Sequence, residues 1–168
     1  MRQVVVSALG PDRPGIVASV TGALLEHEVN IDDSNMGRLS GRFSMMLICT
    51  APDGLDLVRL GEDLERSAAG SGLDVIFAHD VSAGAEALEP THIVTLYGAD
   101  HPGIVHAVAA ALARRGANII DLETRVAGDL YVMTLDVVSD TDVEETLRPV
   151  AAEQGVELTV RPFEAEIL

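Results

Sequence analysis

Apolar residues run almost unbroken from Val4 to Leu9, and the pattern then changes period. Ile16, Val17, Val20 and Leu24 fall at i, i+1, i+4 and i+8, the spacing of one buried helix face. Val4 to Leu9 therefore predicts a strand, and the stretch after Pro14 a helix that begins with a residue whose missing N–H needs no partner in a first turn. Asn30 to Arg38 and Arg42 to Ala51 read as two more strands, with the Ser40-Gly41 step suited to a tight hairpin turn. Leu57, Leu60, Leu64 and Ala68 give a second helix, and Leu73 to His79 a last strand. The order is β-α-β-β-α-β.

The same order then repeats. At an offset of 88 residues, Val4 to Leu47 matches the later chain without a gap. GPDRPGIV (Gly10 to Val17) pairs with GADHPGIV (Gly98 to Val105), Asn30, Ile31 and Asp33 with Asn118, Ile119 and Asp121, and Phe43, Met45 and Leu47 with Tyr131, Met133 and Leu135. The second copy predicts elements at His92 to Leu96, Gly103 to Arg115, Asn118 to Val126, Leu130 to Val138, Asp142 to Gln154 and Val156 to Pro162. Thr141 followed by Glu144 reads as a capping box for the fourth helix, which Pro149 is expected to kink. With right-handed crossovers each unit closes as a four-stranded antiparallel sheet carrying two helices on one face, an α+β, ferredoxin-like architecture. Residues 1–83 form the first domain, 84–90 a small, polar linker and 91–168 the second domain.

The other sheet face also needs cover. Met45, Leu47 and Cys49 share one side of their strand, while Met46 and Ile48 lie on the other, and Val4 to Val6 are apolar on both. Strands apolar on both sides are usually buried on both sides, so each unit is expected to pack against its twin, a second chain or both, with a homodimer as the expected assembly.

Composition narrows the function. The net charge is −16, divided as −6 before residue 86 and −10 after it, which opposes direct binding to a phosphate backbone. All 11 basic residues are arginine, which removes Schiff-base and phosphate-gripping lysine chemistry. Cys49 is alone, so no intrachain disulfide forms, and its place in an apolar strand suggests a buried, inert thiol. No apolar run approaches the ~20 residues of a membrane span, and the MRQVVV start lacks a signal-peptide layout, so a cytoplasmic protein is expected. His101 and His106 are spaced wrongly for a shared helical metal site, and Ser7, Ser19 and Ser44 lack a nucleophile-elbow setting. No cofactor, metal or catalytic group is called for.

What remains is the repeated loop. It ends in a helix N-terminus, where unpaired N–H groups and the positive dipole end attract an anion such as a carboxylate. Gly15 and Gly103 leave that backbone approachable, or serve close helix–strand packing. Asp12 and Asp100 either position a ligand or cap their helices. Asn30 and Asn118 open a strand read as running beside the helix, where their carbonyls suit an ammonium, or they are turn residues. The copies differ at Arg13 against His101, Asp32 against Ile120 and Asn35 against Glu123, and the more polar first copy is favoured as the more specific site.

Strand, G-x-D-x-P-G-I-V opening a helix, then Asn-Ile opening the next strand, resembles the ACT domain, here in two tandem copies covering nearly the whole chain. The PDRPGIV spelling is similar to that of the glycine cleavage system transcriptional repressor family, and occurs also in the N-terminal ACT domain of formyltetrahydrofolate hydrolases, for whose catalytic domain no residues are left over. The resemblance implies a non-catalytic amino-acid sensor, for glycine or another amino acid, acting through a regulatory protein partner. It places the ligand where the loop meets the start of the second strand, often at an interface with another such unit. Carried onto this sequence, that gives Asp12, Arg13, Gly15, Ile16, Asn30 and Ile31, and in the second copy Asp100, His101, Gly103, Ile104, Asn118 and Ile119. The alternative is a structural dimerisation or docking module that binds no ligand.

Overall fold

Alternation along the first strand decides which way the sheet faces. In a computed structural model describing residues 1–81 and 88–164, Val4, Val6 and Ala8 of β1 (Arg2–Pro11) are buried while Gln3, Ser7 and Leu9 point the other way. The same period in β3 (Arg42–Ala51) buries Phe43, Met45, Leu47, Cys49 and Ala51. Two helices cover that side: α1 (Ile16–Glu26) contributes Ile16, Val20, Ala23 and Leu24, and α2 (Leu57–Ser71) contributes Leu60, Leu64 and Ala68 to one core. β2 (Asn30–Leu39) and β4 (Val75–Val81) are the edges of an antiparallel sheet ordered β2-β3-β1-β4.

The second unit repeats this with β5 (His92–Ala99), α3 (Ile104–Arg114), β6 (Asn118–Ala127), β7 (Leu130–Val138), α4 (Val143–Gln154) and β8 (Val156–Pro162), in the order β6-β7-β5-β8. Its own core gathers Val94, Leu96, Ile104, Val108, Leu112, Met133, Leu135 and Leu147. The chain divides into two compact units, Met1–Ala85 and Glu86–Leu168. Most of the expected linker, 84–90, falls among residues 82–87, outside the described residues.

The Ser40-Gly41 turn forms as expected, with both residues at positive φ, 49° and 78°. Two expectations need correction. Pro14 lies before α1 rather than in its first turn, because Gly15 is the N-cap. The fourth helix is capped one residue later than the Thr141–Glu144 pattern suggests: Asp142 accepts the Glu145 N–H at 2.8 Å, and Thr141 instead bonds Ser139. Pro149 sits inside α4, which continues through it to Gln154. Asp142→Ala is therefore expected to lower stability by about 1 kcal/mol, measurable as a drop in the denaturation midpoint.

Candidate functional site

The repeated loop begins with a glycine that the fold needs for space. A Cβ on Gly10 would lie 2.7 Å from Leu73 Cα and 2.9 Å from Asp74 N, because the chain entering β4 crosses directly over it. The Asp74 N–H donates to Leu9 O at 2.9 Å and fixes that crossing. Gly98 is confined in the same way by Val156 and Gly155 O, at 3.0 and 3.1 Å.

The fourth residue of the loop turns toward the end of the second helix in both units. The Arg13 guanidinium lies over Gly72, which caps the C-terminus of α2. His101 places Nε2 2.8 Å from Gln154 O, in the last turn of α4, and Nδ1 3.2 Å from Pro102 O. A cation suits the negative end of a helix dipole, so the two different residues serve one structural purpose. The carbonyls of Gln154 and Pro102 favour the protonated ring and raise the His101 pKa above its ordinary 6.5, with Asp100 adding to this. Protonated imidazole offers two N–H donors to these two carbonyls, whereas the neutral ring offers one. This tie is thus fully present below the ordinary histidine pKa and is lost as pH rises through the higher folded-state value. The second unit is expected to lose melting temperature as the pH rises above the ordinary histidine value of 6.5, and His101→Gln to flatten that dependence. An NMR titration that puts the folded-state His101 pKa below 6.5 would contradict this.

Gly15 and Gly103 are the N-caps of α1 and α3, with φ of 95° and 109°. A Cβ at Gly15 would meet nothing within 4 Å, and at Gly103 only Gln154 Oε1 at 3.8 Å. The close-packing reading of these glycines is therefore wrong: the left-handed backbone demands them. The helix-cap reading of Asp12 and Asp100 is wrong too, since neither helix has a side-chain cap bond. Asp12 instead faces Arg38 Nη1 at 3.3 Å. The first intrahelical bonds run from Ser19 N to Gly15 O and from Ala107 N to Gly103 O, both 2.9 Å. The N–H groups of Ile16, Val17 and Ala18, and of Ile104, Val105 and His106, precede those bonds. Ile16 and Ile104 are each 2% exposed, so their side chains belong to the core.

In the second unit this helix start opens on a cavity of about 470 Å³ lined by Asp100, His101, Pro102, Gly103, Ile104, Val105, His106 and Tyr131. His101 and His106, too far apart to pair on one helix face, both line it. Tyr131 is the residue that sequence reasoning passed over as core. It is 6% exposed, stands opposite Gly98 on β7 and donates to Met133 Sδ at 3.6 Å. Burial, then Asp100, pushes its phenol pKa up.

The asparagines lie elsewhere. Asn30 pairs with Thr50, which pairs with Gln3 at the start of β1, while the loop leaves the far end of that strand at Pro11. Asn118 pairs with Val138, at the His92 end of β5, while the loop follows Ala99. At about 3.4 Å per residue the loop and the asparagine of one unit are roughly 25 Å apart. The expectation that they meet within a unit is overturned, because a right-handed crossover helix returns the chain to the end where the first strand began. Asn30 is engaged locally. Its amide donates to Asp32 Oδ1 at 2.9 Å, and Asp32 also accepts from Thr50 Oγ1 at 2.6 Å. Ile31 pairs with Cys49 at the half-exposed sheet edge, and Ile119 packs against the second core. Cys49 is buried, with its pKa pushed up to about 11 by burial and by Asp32.

Both units match models of one family, described as the ACT domain, over residues 2–78 and 92–153. The chain belongs to the ACT-domain family, as a tandem pair. ACT domains typically bind amino acids in regulatory proteins. The UPF0237 protein of Methanopyrus kandleri is 37% identical over 81 residues, 48% of this chain and 90% of that protein. A crystal structure of an unknown protein from Galdieria sulphuraria matches with a TM-score of 0.79 and 30% identity, covering 97% of this chain and 99% of that one. A crystal structure of a candidate glycine cleavage system transcriptional repressor matches with a TM-score of 0.73 over 97% of this chain and 98% of that one. At 16% identity this last match is an agreement in fold. Among the described residues of the tandem ACT chain, no helix is long and apolar enough to cross a membrane.

Proposed function

We propose that this tandem ACT protein is a non-catalytic regulator that binds a free amino acid, glycine or another, and passes its occupancy to a protein partner, with transcriptional control of amino-acid metabolism as the process served. The observation that carries the reading is the cavity at the start of α3, where a helix N-terminus and a carboxylate line one space. A zwitterion fits that pair. Its carboxylate is received by the N–H groups of Ile104, Val105 and His106 and by the positive end of the helix dipole. Its ammonium is received by Asp100. His101, on the cavity wall, and Arg13 tie the loop of each unit to the end of its second helix. The net charge of −16 keeps the chain itself off nucleic acid, so a transcriptional role runs through the partner, in the cytoplasm. In this reading the functional domains are 1–83 and 91–168, joined by the linker 84–90.

A thermal-shift screen of the full chain against the twenty amino acids tests the proposal, since a ligand held only by the native state raises its melting temperature. At least one amino acid should bind, with calorimetric titration giving its stoichiometry. If none binds, the second reading takes over, a docking module without a ligand. The apolar open face of the first sheet favours it.

A further inference from the structure

The two copies of the loop put different cations in one place. Arg13 lies over Gly72 at the end of α2, and His101 lies against Gln154 O at the end of α4. A guanidinium keeps its charge throughout, whereas an imidazole gives its charge up close to neutrality. The surroundings of His101 make that loss matter. Both of its ring nitrogens face carbonyl oxygens, Nε2 that of Gln154 at 2.8 Å and Nδ1 that of Pro102 at 3.2 Å. Only the protonated ring donates to both; the neutral ring turns a lone pair toward one of them. The corresponding contact of Arg13 survives the same change of pH.

We propose that His101 makes the second-unit site respond to pH: its protonated ring holds the loop in the arrangement that receives an amino acid, and loss of that proton weakens binding there. This rests on the reading of the cavity at the start of α3 as an amino-acid site. The tie lies between the two functional parts of that site. Asp100, the acceptor for the ammonium, precedes His101, and Pro102 and Gly103 lead from it to the N–H groups of the helix start. His101 also lines the cavity itself. A loop already ordered loses less freedom when an amino acid arrives, and a cation on the wall favours a carboxylate.

The groups around the ring can be named. Asp100 favours its protonated form. His106 and Tyr131 share the cavity, and burial pushes the Tyr131 phenol up, away from neutrality. Asp129 stands in the β6–β7 turn, just past the Ala99–Leu130 pair. Glu153 lines the groove between α3 and α4, and Glu157 accepts from the Tyr97 hydroxyl. His106 is thus the other imidazole at the cavity, and the test has to separate the two.

The twenty amino acids, each alone, are screened by thermal shift at one pH below 6.5 and at one above the folded-state His101 pKa that NMR titration of the ring gives. Calorimetric titration with the amino acid that binds then measures affinity at both. Affinity should fall about tenfold from the lower pH to the higher, the scale of a moderate coupling. His101→Arg, which copies Arg13 of the first unit, should bind at both as the parent does at the lower pH. His101→Gln should bind at both as the parent does at the higher. His106→Gln should keep the dependence. Coupling is reciprocal, so saturation with the same amino acid should raise the His101 titration midpoint of the parent by about one pH unit. That measurement decides if a His101 variant fails to fold. Equal affinity at both values, a dependence that survives His101→Arg or vanishes with His106→Gln, or a midpoint that the amino acid leaves in place overturns the proposal while the site reading stands. If none of the twenty binds at either pH, the site reading falls, and the proposal with it.

Discussion

Gly10→Val is expected to destabilise the first unit by about 3 kcal/mol, the upper range for overpacking. Valine suits a strand by propensity, so local preference points the other way. The collision decides: a Cβ at Gly10 sits 2.7 Å from Leu73 Cα and 2.9 Å from Asp74 N, and neither backbone atom can swing aside as a side chain would. Relief requires the chain entering β4 to lift, which strains the bond from Asp74 N–H to Leu9 O and the Arg42–Asp74 ion pair beside it. For a unit of this size the melting temperature should fall by about 12–24 °C. Gly98→Val should cost less, since the nearest atom there is the Val156 side chain. Gly22→Ala is the opposite case. Gly22 stands within α1 with open space where its Cβ would be, so alanine should stabilise by about 0.5–1 kcal/mol. A Gly10→Val chain that melts with the parent would remove the argument that this glycine marks a backbone crossing.

Asp100→Asn is expected to weaken amino-acid binding at the second unit by about 10- to 150-fold, the equivalent of 1.5–3 kcal/mol for a hydrogen bond to a charged group. The change keeps the size of an exposed side chain and removes only the charge that would face an ammonium. Calorimetric titration of the variant with the amino acid that binds the parent reads this directly. Asn118→Ala, roughly 25 Å from the loop of its own unit, then separates two arrangements. If a second copy of the chain supplies the asparagine, its loss should weaken binding comparably; if the cavity is complete in one unit, affinity should not change. Gly103→Val is a poor probe of the same site. The backbone there is held at φ 109°, so a β-branched residue would distort the helix start whether or not a ligand binds. Unchanged affinity in Asp100→Asn would mean that the loop is scaffold.

The repeat made the fold readable. Val4 to Leu47 and its image 88 residues on carry the same change of period, and both units take the expected β-α-β-β-α-β order. The site was less legible, for identifiable reasons. Asn30 follows α1 closely in sequence, but the helix travels back along the sheet, so closeness in sequence places Asn30 at the far end from the loop. Arg13 and His101 looked like a difference in specificity and share a position over a helix C-terminus, which only the tertiary fold reveals. Tyr131 aligns with Phe43, and an aromatic residue at a core position gives no sign that one edge of it faces a cavity. Part of the greater polarity of the first copy is spent locally, because Asn30 and Thr50 both bond Asp32.

The two separate cores also determine what an unfolding experiment can see. Buried side chains fall into one cluster drawn from the first unit and another from the second, so the halves are free to melt at different temperatures, and a single midpoint would average two transitions. The chain has no tryptophan, and both of its tyrosines, Tyr97 and Tyr131, lie in the second half. Intrinsic fluorescence therefore reports the second unit and is silent on the first. A ligand held in the second unit would look strongly stabilising by fluorescence, moderately so by circular dichroism, and in a calorimeter would move one of two peaks.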